Sequence, residues 1–275
     1  MRGLPGKGMG QVAPHASAPQ DAGASLGSAW EAVNLSGSRQ VDGIARRVLQ
    51  ALLPPRCLLC GGDGAQGRDL CAGCRGDLAA NTHCCARCAL PLQTAEPLCG
   101  RCLRRTPPFD GAWVPWRYGH PLDLLEARFK FHGDLAAGHV LAELLVDAAC
   151  AAPPAQTDLV ICVPLHRERL RERGYNQALE LARPLARALG LPLAAGALLR
   201  TRATPAQTDL DAGARRRNLR DAFSLSPGVE LPARVAIFDD VMTTGATLAE
   251  CARVLRRAGV QHIDVWALAR VPGRR

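Results

Sequence analysis

The chain has 275 residues, of which 48% are hydrophobic and only 4% aromatic, and its formal net charge is +9 at pH 7. This length suits one α/β domain with a smaller module, built on an aliphatic core. No apolar run approaches the roughly 20 residues of a membrane-spanning helix, and residues 1–11 lack the apolar stretch of a signal peptide. The composition therefore argues against a membrane span and favours a soluble, cytoplasmic protein with an anionic partner.

The first 55 residues divide into two predicted segments. Residues 1–40 are rich in Gly, Ala, Ser and Pro and show no apolar period, which predicts a disordered tail. Apolar residues then recur at helical spacing up to Leu53, and Pro54 and Pro55 follow, which predicts a short helix over residues 41–55.

Residues 56–105 hold nine of the twelve cysteines, and eight of them form four Cys-x₂-Cys pairs that begin 14 residues apart. Such a turn holds two thiolates at two corners of a tetrahedron, so four turns predict two Cys₄ zinc sites. With every corner taken by protein, both sites would be structural, whereas disulfides are a poor explanation in a reducing cytosol. Sequential pairing gives two tandem ribbons and alternate pairing a cross-brace, and Cys84 is a bystander or a substitute ligand. The pairs are Cys57/Cys60, Cys71/Cys74, Cys85/Cys88 and Cys99/Cys102.

Beyond residue 109, helix-like and strand-like segments alternate. Strand–helix alternation predicts a mostly parallel sheet with helices on both faces. We therefore expect an α/β domain over residues 109–275, preceded by a zinc ribbon module over residues 56–105. The predicted helices are Leu122–Phe131, Leu135–Cys150, Gln177–Leu189 and Leu248–Ala258, and the predicted buried strands are Leu159–Val163, Val235–Phe238 and Ile263–Leu268.

The segment from Val235 to Thr247 carries the clearest chemical signal. A buried strand delivers Asp239 and Asp240 to its carboxyl end, where open α/β sheets bind ligands. A Thr/Gly loop around Gly245 then enters a helix, and backbone N–H groups at a helix N-terminus bind phosphate. The pattern predicts a 5′-phosphate in the loop and ribose hydroxyls on the two acids. The alternative is an ordinary strand–turn–helix whose polar residues only cap the helix.

Two further stretches are strongly basic. The segment after Leu159–Val163 carries Arg167, Arg169, Arg171 and Arg173 at the carboxyl end of a strand, which suits a pyrophosphate leaving group. Residues 200–220 hold six arginines. A solvated basic face or a nucleic-acid surface would use the same charges.

The Asp239–Thr247 string resembles the phosphoribosyl pyrophosphate fingerprint of the type I phosphoribosyltransferases. Together with the cysteine repeat, it resembles the ComF family of competence-associated proteins. The resemblance extends from about Cys57 to Arg270. The sequence departs from the family pattern at Cys162, which stands before Val163 and Pro164 where the pattern has a proline. The other matching stretches are Phe129–Gly133, Val163–His166, Arg173–Gln177, Arg202–Gln207 and Arg215–Asn218.

This resemblance implies a type I phosphoribosyltransferase fold that binds phosphoribosyl pyrophosphate with Mg²⁺, beside two structural Zn²⁺ ions. Asp239, Asp240 and Arg173 would be catalytic, and a lid would close over the substrate. The zinc module could stand where other members place a hood. The implied lid residues are Arg202, Gln207, Arg215 and Asn218; the implied ligand-binding residues besides the two acids are Lys130, Pro164, Leu165, Arg167, Thr243, Thr244, Gly245, Ala246 and Thr247.

The expected reaction is displacement of pyrophosphate at C1 of the ribose by an acceptor that the sequence does not reveal. One alternative is a regulator that senses phosphoribosyl pyrophosphate without turnover. The other is a recombination or transformation accessory factor whose partners are single-stranded DNA or uptake proteins. The zinc segment contains no aromatic residue for stacking on bases, which weighs against DNA binding there.

Overall fold

In the computed structural model, the described residues are 54–93, 96–202 and 221–273. The predicted tail, the predicted helix up to residue 53, and three lid residues lie outside this part of the chain. Those lid residues are Gln207, Arg215 and Asn218.

Eight strands form a parallel sheet and a small antiparallel ribbon within the described residues. The six-stranded sheet has the order β1-β8-β7-β3-β4, with β2 also pairing with β8, and every pairing in it is parallel. Strands β5 and β6 pair antiparallel at its side. The strands are β1 (Gly111–Trp113), β2 (Trp116–Arg117), β3 (Leu159–Cys162), β4 (Leu193–Ala194), β5 (Leu198–Arg200), β6 (Phe223–Leu225), β7 (Arg234–Met242) and β8 (His262–Arg270).

In the described part of the chain, seven helices accompany these strands. The α/β fold with a mostly parallel sheet is confirmed, and its longer helices begin and end within two residues of their predicted bounds. Strand β7 is longer than predicted, since it continues through both aspartates to Met242. The helices are α1 (Ala72–Gly76), α2 (Gly100–Arg104), α3 (Leu122–His132), α4 (Leu135–Ala151), α5 (Arg167–Arg173), α6 (Gln177–Ala188) and α7 (Ala246–Arg257).

The sheet is buried on both faces, and each face has its own hydrophobic core. Because side chains alternate along a strand, Val235 and Ile237 face one core while Ala236 and Phe238 face the other. The first core also contains α7, the β5–β6 ribbon and the last four paired cysteines. The second contains α3, α4 and α6, together with Cys57 from the first cysteine pairs. The cysteine-rich segment therefore contributes to both cores.

Candidate functional site

The eight paired cysteines form two separate clusters. In each, the four ligand atoms lie within 4.8 Å of one another. A tetrahedral zinc site with Zn–S bonds of about 2.3 Å has sulfur–sulfur edges near 3.8 Å, and Cys60 Sγ and Cys71 Sγ are 3.8 Å apart. The donor sets therefore fit two structural zinc ions, and the pairing is sequential, as in tandem ribbons. The first cluster is Cys57, Cys60, Cys71 and Cys74; the second is Cys85, Cys88, Cys99 and Cys102.

The thiols of each cluster titrate unequally. Burial opposes ionisation of Cys57, but hydrogen bonds from backbone N–H groups outweigh it and lower the pKa to about 6. Burial likewise opposes ionisation of Cys99, but hydrogen bonds outweigh it and lower the pKa to about 7. The pKa of Cys102 is instead raised, first by burial and then by the neighbouring Cys88 thiol. Zinc binding requires thiolates, so the bound dication would supply the charge that lets all four sulfurs deprotonate.

Two arginines join the second cluster to the loop over residues 243–247, which we call the phosphate loop. Arg270, whose side chain is only 1% exposed, donates from Nε to the Cys88 carbonyl at 3.0 Å. Its Nη1 group donates to the carbonyls of Met242, at 3.0 Å, and Thr243. Arg101, between the last two zinc ligands, donates to the Thr244 carbonyl at 3.3 Å. The second ribbon therefore contacts the phosphate loop directly.

The phosphate loop connects β7 to α7. Gly245 has φ +74°, a conformation that L side chains rarely adopt, and a Cβ there would lie 2.7 Å from Met242 Cε. Thr244 Oγ1 accepts a hydrogen bond from the Ala246 amide at 3.3 Å. Because α7 begins at Ala246, the N-terminus of a twelve-residue helix lies at the end of this loop. Thr243, the most exposed residue of the loop, and Thr247, in the first turn of the helix, add hydroxyl groups.

Asp239 and Asp240 lie near the carboxyl end of β7 in different electrostatic surroundings. Asp240 Oδ2 is 2.9 Å from Lys130 Nζ, and the same ammonium group is 2.9 Å from Glu126 Oε1. Lys130 lies in the last turn of α3 and reaches the sheet edge from that helix. Its neighbour Glu126 is only 4% exposed, so the three groups form a largely buried chain of charges.

This asymmetry separates the two aspartates chemically. Burial raises the pKa of Asp239 well above its ordinary value, and the adjacent Asp240 charge raises it further. Burial also opposes ionisation of Asp240, but the Lys130 ammonium group outweighs it and lowers the pKa of that carboxyl. Burial would lower the pKa of Lys130, yet the two neighbouring carboxylates raise it. Asp240 is therefore the carboxylate held ionised, and Asp239 takes up a proton more readily.

The loop after β3 lies beside these acids. Strands β3 and β7 are adjacent, and the Val163 amide donates to the Phe238 carbonyl at 2.9 Å. Asn176 Nδ2 donates to the Val163 carbonyl at 3.1 Å, and Tyr175 Oη donates to the Phe129 carbonyl. Three of the matching sequence stretches therefore pack together around the segment that holds Pro164, Leu165 and Arg167.

A cavity of about 510 Å³ opens next to this loop. Lys130, Arg169 and Arg173 line it, together with the exposed ring of Phe131. Burial lowers the pKa of Arg200, at the end of β5, and Arg169 lowers it further, so these two guanidinium groups are close. Arg202, the one described lid residue, is exposed two residues later. The sequence-predicted aspartates, Lys130 and Arg173 thus gather at one edge of the sheet.

Sequence reasoning missed three residues that support this arrangement. Glu126 lies one helical turn before Lys130, a spacing that could have indicated the ion pair. Arg270 is a charged residue at the end of an apolar strand, which could have suggested a buried structural role. Arg101 had no signal, because an arginine between two zinc ligands is normally exposed.

Known proteins resemble this chain along most of its length. A double zinc ribbon domain matches residues 48–103. Competence protein F of Haemophilus influenzae is 40% identical over 174 residues, which are 61% of this chain and 76% of that protein. DNA utilization protein YhgH of Escherichia coli strain K12 is 37% identical over 61% of this chain and 75% of its own length. Competence protein ComFC of Streptococcus pneumoniae is 28% identical over 52% of this chain and 61% of its own length.

None of the helices in the described ranges is long and apolar enough to cross a membrane. The double zinc ribbon, the two Cys₄ clusters and the 40% identity over three quarters of a competence protein agree with one another. This chain is therefore a member of the ComF family.

Proposed function

We propose that the protein binds phosphoribosyl pyrophosphate with Mg²⁺ and transfers the phosphoribosyl group to an acceptor. The observation that carries this proposal is the meeting of three features at the carboxyl edge of the sheet. They are the Asp239–Asp240 pair, the phosphate loop at the N-terminus of α7, and a cavity with cationic walls. Ligands of open α/β sheets bind at this edge.

The phosphate loop would hold the 5′-phosphate. Backbone N–H groups of the first turn of α7 and the hydroxyls of Thr243 and Thr247 are donors for its oxygens. Gly245 permits the close approach of backbone to ligand that such a site needs. The ribose hydroxyls would then lie against Asp239 and Asp240, where carboxylates accept hydrogen bonds from them.

The pyrophosphate would lie over the loop after β3. Its oxygens would be bound by Arg167, Arg169 and Arg173 of α5. Lys130, which contacts Asp240, would also contact the pyrophosphate and so weaken its ion pair with that aspartate. A bound Mg²⁺ would neutralise part of the negative charge of the ligand. Carboxylate oxygens are suitable ligands for that ion, so the aspartate pair fits it.

In the reaction, the bond from ribose C1 to the pyrophosphate oxygen breaks and that oxygen keeps the electron pair. The acceptor nucleophile forms the new bond to C1 and loses its proton. The arginines stabilise the leaving charge, so the protein contributes positioning and electrostatic stabilisation. The relatives are named competence and DNA utilization proteins. We therefore propose that the acceptor is a molecule that takes part in DNA uptake.

The test is a calorimetric titration of zinc-loaded protein with phosphoribosyl pyrophosphate and Mg²⁺. We expect saturable binding that Asp239→Asn/Asp240→Asn abolishes. The control Asp63→Asn/Asp158→Asn removes the same charge far from the site and should leave binding intact. Saturable binding without pyrophosphate release in any acceptor screen would assign the protein to sensing. Absence of binding by folded, zinc-loaded protein would refute the proposal.

A second candidate function is single-stranded DNA binding by the basic surface. No residue of α5 is buried, and four of its seven residues are arginines. Such a surface would neutralise backbone phosphates, so affinity should fall steeply with salt. If Arg171→Gln, at the one α5 arginine not assigned to the pyrophosphate, reduces the salt slope while leaving phosphoribosyl pyrophosphate binding unchanged, the accessory-factor function gains support.

A further inference from the structure

A second cavity lies between the second zinc ribbon and helix α7, next to the phosphate loop. Its volume is about 390 Å³, which is within the roughly 300–1,000 Å³ of small-molecule sites. This volume is larger than a single phosphate group would fill. Gly245 and Ala246 form part of its wall. It therefore opens on the loop where we place the 5′-phosphate, away from the cavity lined by Lys130 and Arg173.

The walls of this cavity are positively charged. Helix α2 and the residue after it contribute Arg101 and Arg105, and helix α7 contributes Arg253 and Arg257. Glu250 also lines the cavity, but its carboxylate is already bound to Arg253.

Arg105 and Arg257 are the free cations of this wall. Within the described residues, the guanidinium group of neither arginine makes a hydrogen bond or an ion pair. Asp221, the other acid in the lining, is exposed, and its carboxylate forms no ion pair with either of these two described arginines; its backbone amide donates to Glu250 Oε1 at 3.2 Å. The two guanidinium groups can therefore accept a further anion.

A monoester phosphate seated on the loop would not use these two groups. Guanidinium groups bind phosphate oxygens in bidentate fashion, and the cavity continues from the loop toward them. We propose that this cavity binds a second phosphate joined to the 5′-phosphate of the ribose by an anhydride bond, as in a nucleotide-linked ribose. The inference rests on the proposed function, because the phosphate loop must first bind a 5′-phosphate.

The experiment uses full-length, zinc-loaded protein and three ligands. ADP-ribose carries a 5′-diphosphate, ribose 5-phosphate carries only the monoester, and phosphoribosyl pyrophosphate has the monoester with pyrophosphate at C1. The test variant is Arg105→Gln/Arg257→Gln. The matched control is Arg104→Gln/Arg187→Gln, which removes two exposed arginines outside the cavity.

We expect ADP-ribose to bind wild-type protein more tightly than ribose 5-phosphate does. The test variant should weaken ADP-ribose binding by about 10- to 100-fold, the loss of two charge-assisted interactions. It should leave the affinity for phosphoribosyl pyrophosphate within a factor of about two, and the control variant should leave both affinities unchanged.

Two results would overturn this inference while the proposed function stands. One is phosphoribosyl pyrophosphate binding without any preference for ADP-ribose over ribose 5-phosphate. The other is equal weakening of ADP-ribose and phosphoribosyl pyrophosphate by the test variant, which would assign the arginines to the monoester itself. If phosphoribosyl pyrophosphate fails to bind folded protein, the proposed function fails. Arginine-dependent ADP-ribose binding would then support the cavity alone.

Discussion

The two zinc ribbons share one cysteine spacing but are built into the molecule differently. All four ligands of the second cluster are buried, whereas only Cys57 of the first is buried and Cys60 is exposed. The second cluster belongs to the core that holds α7, and the first packs against the opposite core. Within the described ranges, only the second is linked to the phosphate loop by hydrogen bonds: Arg101 donates to the Thr244 carbonyl, and Arg270 donates to both the Cys88 and Thr243 carbonyls.

The first ribbon contributes Cys57, Leu70 and Leu78 to the second core and is also attached through charged side chains. Arg68 makes a two-point contact with Asp147 of α4, with Nη2 and Oδ1 3.0 Å apart, and Arg75 reaches the same carboxylate at 2.8 Å. Arg128 of α3 also donates to the Leu58 carbonyl at 2.6 Å. Repetition of a zinc motif therefore does not repeat its role. We expect the second ribbon to support the ligand site and the first to stabilise the helical face.

The largest expected effect comes from removing one zinc ion at a time. Cys99→Ser/Cys102→Ser should abolish phosphoribosyl pyrophosphate binding, because it releases the contacts that hold the phosphate loop. Cys71→Ser/Cys74→Ser should keep the affinity within about threefold, since a structural zinc stabilises chiefly its own small segment. Native mass spectrometry would verify one bound zinc in each variant, and calorimetry would give the affinities. Equal losses in both variants would refute the division of roles.

Removal of the Arg270 side chain is the next largest change. Arg270→Met preserves bulk but leaves the carbonyls of Cys88 and Thr243 without their donor, whereas the Met242 carbonyl keeps the Val271 amide. We expect the free energy of unfolding to fall by roughly 2–5 kcal/mol, since each buried carbonyl left unsatisfied costs about 1–3 kcal/mol. Denaturant unfolding would measure this loss. A loss below about 1 kcal/mol would show that water replaces these hydrogen bonds easily.

The sequence predicts these ribbons and the sheet well because their signals are local. Cys-x₂-Cys spacing specifies ligand pairs, and apolar runs such as Val235–Phe238 specify buried strands. The sequence does not specify the cysteine pairing or the different attachment of the two ribbons, because both depend on contacts between residues far apart along the chain. Cys88 and Arg270 are 182 positions apart, and Lys130 and Asp240 are 110 apart. Only the folded chain brings such partners together.

Arg101 tests the contact with the phosphate loop without removing zinc. Arg101→Ala should lower the affinity for phosphoribosyl pyrophosphate by about 3- to 10-fold, since it removes one charged hydrogen bond to the Thr244 carbonyl. Arg104→Ala, on the same helix but exposed, is the matched control and should have no effect. If both variants bind as wild type does, the loop keeps its conformation without this contact.

The smallest expected effect concerns the attachment of the first ribbon. Arg68→Gln removes the two-point contact with Asp147 and should lower the free energy of unfolding by about 1 kcal/mol, because the pair is partly exposed and screened by salt. Arg75→Gln, whose side chain is more exposed, should cost less.

The pH dependence of this contact distinguishes it from the zinc ions themselves. The hydrogen bond from Arg68 holds the pKa of Asp147 below its ordinary value, although burial opposes this. A carboxylate with a depressed folded-state pKa stabilises the protein at every pH above its unfolded value of about 4 and loses this contribution only as the pH falls further. The difference in unfolding free energy between wild type and Arg68→Gln should therefore stay constant from pH 8 to pH 5, and the two proteins should bind phosphoribosyl pyrophosphate equally well at each pH. A parallel loss of that affinity would mean that the first ribbon also supports the phosphate loop, and the contrast between the two ribbons would not hold.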